Sequence, residues 1–173
     1  GKKMTEVKEG HAVALVDLDG GPGPDLVVGA PERTDLAEHE GGVFVHSGDG
    51  VAFSSVASWS WSVGTAQAQT GWSVAPAGDV NADGWLDLVV GSPGFEQVPM
   101  APEGAAAIFF GGAALAASPD VLVAPGFLGA RAGHSVAGVG DLNGDGFDDV
   151  ALGAPYLTDP EALEGAAFVV LGG

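Results

Sequence analysis

The chain has 173 residues, 46% of them apolar, with 23 acids against five bases for a formal net charge of -18, and no cysteine. That length and apolar content suit one globular unit with a sizeable core, and the missing thiols exclude disulfides, zinc–thiolate sites and cysteine nucleophiles. Three of the five bases, Lys2, Lys3 and Lys8, crowd the first eight positions, which leaves no basic surface for nucleic acid, and no apolar run approaches the roughly 18 residues of a membrane-spanning helix.

Thirty glycines and eleven prolines predict short strands joined by tight turns, hence an all-β and soluble chain. No signal-peptide pattern opens it. In chain order the first β-rich run is HAVALV (11–16), followed by DLDGGPGPDLVVGAP from Asp17, EGGVFVHSG (40–48) and WSWSV (59–63). The series restarts with WSVAPAG (72–78), DVNADGWLDLVVGSP from Asp79, EGAAAIFFGG (103–112) and DVLVA (120–124). A third round gives HSVAGVG (134–140), DLNGDGFDDVALGAP from Asp141 and EGAAFVVLGG (164–173). The leading aspartates recur every 62 residues. Each unit, about 9–63, 64–125 and 126–173, reads as a four-stranded β-propeller blade, because one such sheet cannot bury both faces and must stack on neighbours. A β-sandwich of duplicated hairpins is the competing reading, and the strict period counts against it. The chain is expected to form a single unit, 1–173.

The acidic stretches carry the chemistry. Numbered from its first Asp, the second places oxygen-bearing side chains at positions 1, 3, 5 and 9, Asp79, Asn81, Asp83 and Asp87, and the third repeats this with Asp141, Asn143, Asp145 and Asp149. Like charges this close are costly without a cation among them. Position 6 is Gly84 or Gly146, suited to a sharp turn, and Trp85 or Phe147 at position 7 can offer a backbone carbonyl. Six to eight oxygens in irregular geometry suit Ca2+ better than octahedral Mg2+. Position 12 is Val90 or Leu152 inside an apolar run, which excludes an EF-hand with its bidentate Glu and exiting helix. A metal-free, Asx-rich hairpin turn is the bland alternative. The first stretch keeps Asp17, Asp19 and Asp25 but has Gly21 at position 5 and Pro22 at position 6. Proline cannot adopt the sisters' turn, so calcium binding there stays open.

GWSVAPAGDVNADGWLDLVVGSP and GHSVAGVGDLNGDGFDDVALGAP resemble FG-GAP repeats, the units of the seven-bladed propeller of integrin α subunits and of many bacterial surface proteins. The resemblance covers about Gly10 to the end, with the first unit degenerate. It implies that each acidic loop joins the first and second strands of a blade, that the residues above ligate calcium held for structure, and that the chain is a non-enzymatic module for protein binding or cell adhesion. The ligand, protein or glycan, would dock opposite the metal loops, on the segments after each Gly-Ala-Pro or Gly-Ser-Pro: 32–40, 94–103 and 156–164. Arg33, Phe95 and Tyr156 are the candidate contacts there. A lectin-like propeller and an accessory domain of a secreted enzyme are the alternatives.

Three blades do not close a ring, and by alignment the third lacks the outer strand after FVVLGG. Two chains giving six blades is the expected closure, with KKMTEVKE supplying an outer strand, and an excised piece of a longer protein is the competing explanation. Calcium loops of this type point to an extracellular or cell-surface setting. The four histidines show no paired zinc spacing and the serines no nucleophile elbow. His134 aligns with Trp72 and is expected to pack at a strand start. Trp59 and Trp61, alternating with serine, are expected between blades.

Overall fold

The computed structural model describes residues 10–97, 102–158 and 164–173. Eleven strands and no helix lie among them. The first antiparallel sheet contains β1 (Ala12–Val16), β2 (Asp25–Gly29), β3 (Val43–His46) and β4 (Trp59–Trp61). The second contains β5 (Ser73–Gly78), β6 (Asp87–Ser92), β7 (Ala105–Phe109) and β8 (Val121–Val123). The third, of three strands, contains β9 (Ser135–Gly140), β10 (Asp149–Ala154) and β11 (Ala166–Val170). Neighbours in sequence are neighbours in each sheet, the meander of a propeller blade. The KKMTEVKE segment and parts of the 94–103 and 156–164 loops lie outside the described residues.

Both faces of the middle blade are covered, which explains why its strands read as unbroken apolar runs and not as alternation. Leu88, Val90 and Phe109 turn towards Val27, Val43 and Val45 of the first blade, while Val89, Ala106 and Ile108 turn towards Val150 and Leu152 of the third. Burying each of the larger of these side chains contributes about 1.5 to 3 kcal/mol. Trp59 and Trp61 close the outer end of the first interface, their rings 4.9 and 5.1 Å from Phe109, edge to face. The expectation of packing between blades holds for this pair.

The Gly of the first Gly-Ala-Pro and of the Gly-Ser-Pro has a packing reason. A Cβ on Gly29 would stand 2.0 Å from the Gly71 carbonyl oxygen, and one on Gly91 equally close to that of Gly133. Beside these contacts each blade is stitched to the next by a short parallel bridge, Gly41 to Thr70 and Gly104 to Ala132.

Because the strands alternate in direction, the β1–β2, β5–β6 and β9–β10 loops share one end of the blades, and the segments following the Gly-Ala-Pro or Gly-Ser-Pro motifs share the other. Among the described residues the two outer faces are open. On β1, Val13 and Leu15 are 68% and 55% exposed, opposite in direction to Ala14 and Val16, which join the first core. On the third blade Val169 and Leu171 are likewise exposed.

Candidate metal centres

The three acidic loops are built around one repeated device. The position-9 aspartates, Asp25, Asp87 and Asp149, are buried at the start of the second strand of their blades. One oxygen of each accepts the backbone N–H of position 2: Leu18 at 3.2 Å, Val80 at 2.7 Å and Leu142 at 2.9 Å. The other accepts a glycine N–H just beyond the third strand: Gly48 at 3.1 Å, Gly111 at 2.8 Å and Gly172 at 2.9 Å. Each carboxylate therefore ties its hairpin to the strand beside it. Burial pushes Asp87 up to about 6, against the pull of the Gly111 and Val80 amides, with the Asp83 and Asp79 charges adding to the rise. Burial raises Asp25 as well. Exposed Asp141 is lowered, chiefly by the Gly146 amide.

Positions 1, 3 and 5 wrap the turn itself. Asp79 accepts the Asp83 and Gly84 amides at 3.0 and 2.9 Å, and Asp141 accepts those of Gly144, Asp145 and Gly146. Asn81 Oδ1 shares the Asp83 N–H at 3.1 Å, its Nδ2 donates to Asp83 Oδ2 at 2.8 Å, and Asp83 Oδ1 takes the Trp85 N–H at 2.9 Å. Asn143, Asp145 and Phe147 repeat that pattern. Oxygens from positions 1 and 3 thus flank one amide. The donor set is oxygen only, which fits a hard cation.

The degenerate first loop brings its acids together most tightly. Asp17, Asp19 and Asp25 each offer an oxygen within 4.8 Å of the others, the one such trio among the described residues. In its sisters the Asn amide holds the position-5 carboxylate by hydrogen bonding, which keeps like charges apart. The first loop turns left-handed at Gly20 (φ 67), as its sisters do at Ala82 (φ 56) and Gly144 (φ 77), but lacks their second left turn at Gly84 (φ 91) and Gly146 (φ 96). Proline at position 22 accounts for that loss.

At the opposite end the candidate contacts divide. Arg33 lies 4.3 Å over the Phe44 ring and pairs with Asp35. Tyr156 is 47% exposed beside the Arg131 guanidinium. Phe95 is a correction: at 9% exposure it is buried, its N–H bonded to the Ser92 carbonyl and its carbonyl to the Gly104 N–H, so it offers no ligand contact. Sequence reading also missed Glu40, whose buried carboxylate gathers the amides of Asp35, Leu36 and Ala37 and shapes the 32–40 loop. The Glu-Gly pair opening each third-strand run was its visible signal. His134 packs beside Trp72 at a strand start, ring centroids 5.3 Å apart, and His11 meets the same indole at 4.6 Å.

A meander of stacked blades with acidic first-to-second-strand loops defines a propeller-type repeat protein. The FG-GAP repeat model matches residues 70–108 and 132–170. Human integrin alpha-7 is 30% identical over 157 residues, 89% of this chain and 12% of that protein. Xenopus laevis integrin alpha-4 is 33% identical over 159 residues, 89% and 15%, and mouse integrin alpha-3 is 40% identical over 80 residues, 45% and 8%. The chain belongs to the FG-GAP repeat family and is an integrin-like propeller module. It spans no more than 15% of the length of these relatives.

Proposed function

We propose that the chain is a calcium-stapled binding module of the integrin α type, acting in protein binding or cell adhesion at an extracellular or cell-surface site and without catalysis of its own. Asp79, Asn81, Asp83, Asp87 and the Trp85 carbonyl hold one ion in this reading, and Asp141, Asn143, Asp145, Asp149 and the Phe147 carbonyl a second. Asp17, Asp19 and Asp25 hold a third with fewer side-chain donors. The observation that carries the reading is the convergence of three carboxylate oxygens within 4.8 Å at one loop, on a scaffold repeated at the two loops whose donor pattern is complete.

The ion neutralises charge that the acidic turns otherwise concentrate, so its contribution is to stability and to the fixed placement of the blades. The binding face is the end opposite the ions, with Arg33 and Tyr156 as contacts. The open faces bearing Val13 and Leu15, and Val169 and Leu171, pack against further blades, and a dimer of six blades is the simplest closure. Calorimetric titration with Ca2+ tests the metal reading: two or three ions bound per chain, with a higher melting temperature, support it, and no binding at millimolar Ca2+ overturns it. Light scattering tests closure, and a species at the 17.0 kDa chain mass removes the dimer.

One observation favours a second reading, glycan binding. A pocket of about 330 Å3 beside the first loop is lined by Leu18, Val45, Leu115 and Trp59 together with Ser47 and Asp19, an apolar concavity with a few polar groups of the kind small ligands use. A glycan array separates the two.

A further inference from the structure

The two junctions between blades share one contact and differ in another. At both, the glycine following the one that binds the position-9 acid reaches across to the preceding blade's loop: Gly112 N–H to the Leu18 carbonyl at 2.7 Å, and Gly173 N–H to the Val80 carbonyl at 3.0 Å. At the second junction a further pair of bonds joins the same two loops. The Asp148 N–H donates to the Asp79 carbonyl at 3.1 Å, and the Asp148 carboxylate accepts the Asp79 N–H at 2.9 Å. Gly78 makes room, since a Cβ there would stand 2.2 Å from Asp148 Oδ2. At the first junction position 8 is Leu86, 45% exposed and with no carboxylate to offer.

Asp148 therefore sits between two loops. Its chain neighbour Asp149 closes the third loop through Leu142 and Gly172, while its own side chain holds the peptide group of Asp79, the residue that opens the second. We propose that Asp148 is a positioning residue coupling the cation sites of the second and third loops, so that an ion in either strengthens binding in the other. This rests on the calcium reading above. When an ion fixes Asp149, it fixes the start of β10 and with it the Asp148 carboxylate, which holds Asp79 in place before the second ion arrives. The ordering cost is then met once for two sites, and linkage makes the effect reciprocal. The first and second loops, joined by the Gly112–Leu18 bond and with Leu86 at position 8, lack the device.

Trp85 at position 7 of the second loop allows a direct test, because Tb3+ in that loop is excited through the indole. Trp85 also lies against Gly20 of the first loop, so every variant carries Asp19→Ala to silence that site. Terbium affinity of the second loop is measured with the third loop intact or disabled by Asp145→Ala, in three forms: Asp148 kept, Asp148→Leu to copy the first junction, and Asp148→Asn to keep the acceptor without the charge. With Asp148, disabling the third loop weakens the second about tenfold. With Leu, the second loop binds more weakly and ignores the third. With Asn, most of the dependence returns. Circular dichroism in EDTA checks that all forms keep their β-structure. The coupling is overturned if the second loop ignores the third with Asp148 in place, or follows it equally with Leu there. A protein that takes up neither Tb3+ nor Ca2+ overturns the calcium reading and the coupling together.

Discussion

The second blade's acidic hairpin turns left-handed twice, at Ala82 and Gly84, and the first blade's only once, at Gly20. The second and third blades also carry a bulge where the inner strand meets the loop, at Pro76 to Gly78 and opposite Asp149 to Val150, whereas β1 pairs with β2 without a break from Ala12 to Val16. Yet the simpler first loop gathers three carboxylates. The turn and the convergence of charge are thus separable. Positions 1, 3 and 9 suffice to bring three oxygens within 4.8 Å of one another, and the extra turn accompanies a position-5 carboxylate held by the position-3 asparagine.

The largest expected effect is metal removal. At a hundred times the dissociation constant each ion adds about 2.7 kcal/mol, so EDTA should cost about 5 kcal/mol if the second and third loops are both filled, read as a fall in melting temperature. Asp79→Ala should remove more than half of that calcium-dependent increment, because the coupled third loop weakens with it, and Asp17→Ala clearly less. Equal losses in the two variants would make the first loop a full site and erase the distinction.

Next in size is Asp87→Ala. It strands the Val80 and Gly111 amides, buried or half-buried, at about 1 to 3 kcal/mol each, so a loss of about 3 kcal/mol is expected by urea denaturation even in EDTA. A ligand role alone predicts no loss there. The pH dependence sharpens this. The folded-state carboxyl is raised to about 6 from 3.8, so its contribution to the calcium-free protein is full below pH 3.8 and lost as pH rises through 6. Acidification from pH 7 to 5 therefore favours the calcium-free fold at this group while protons compete with the ion. Melting temperatures with and without calcium should converge over that range, and curves that stay parallel would remove Asp87 from the site.

The junctions rank third. Gly91→Ala drives a Cβ into the Gly133 carbonyl at 2.0 Å, whereas Gly153→Ala, at the equivalent place on the third blade, meets only the Ser135 hydroxyl at 2.3 Å. Overpacking against backbone costs about 2 kcal/mol, while a serine rotamer change accommodates the second variant at under about 1 kcal/mol. Equal destabilisation in thermal melts would mean that the third blade is as tightly covered as the second.

The strands and the acidic loops between them were legible because a fixed period superposes three copies, and the two asparagines at position 3 do hydrogen-bond within their turns. What escaped were contacts whose partners are far apart in sequence. Asp87 reads as a ligand, but its bonds to Val80 and Gly111 become visible only once β7 lies beside β6. Phe95 reads as an exposed loop aromatic and is buried. Asp148 reads as one more acid in a crowded turn, and its partner Asp79 is 69 residues away, in the neighbouring blade.

The smallest expected effect concerns the left turn itself. Ala82 holds φ 56 on the second loop, where Gly20 and Gly144 stand at the equivalent position of the other two. A side chain with Cβ in that region costs about 1 kcal/mol or more, and glycine's greater freedom in the unfolded chain returns part of it. Ala82→Gly should therefore stabilise the calcium-free protein by about 0.5 kcal/mol, while Gly20→Ala, which would bring a Cβ to 2.6 Å from the Trp85 ring, should destabilise by more than about 1 kcal/mol. The asymmetry has a use for the ion as well. A turn relieved of strain needs less from the cation, so Ala82→Gly should narrow the gap between melting temperatures with and without calcium. A wider gap would mean that the strained alanine turn already matches the ion-bound shape.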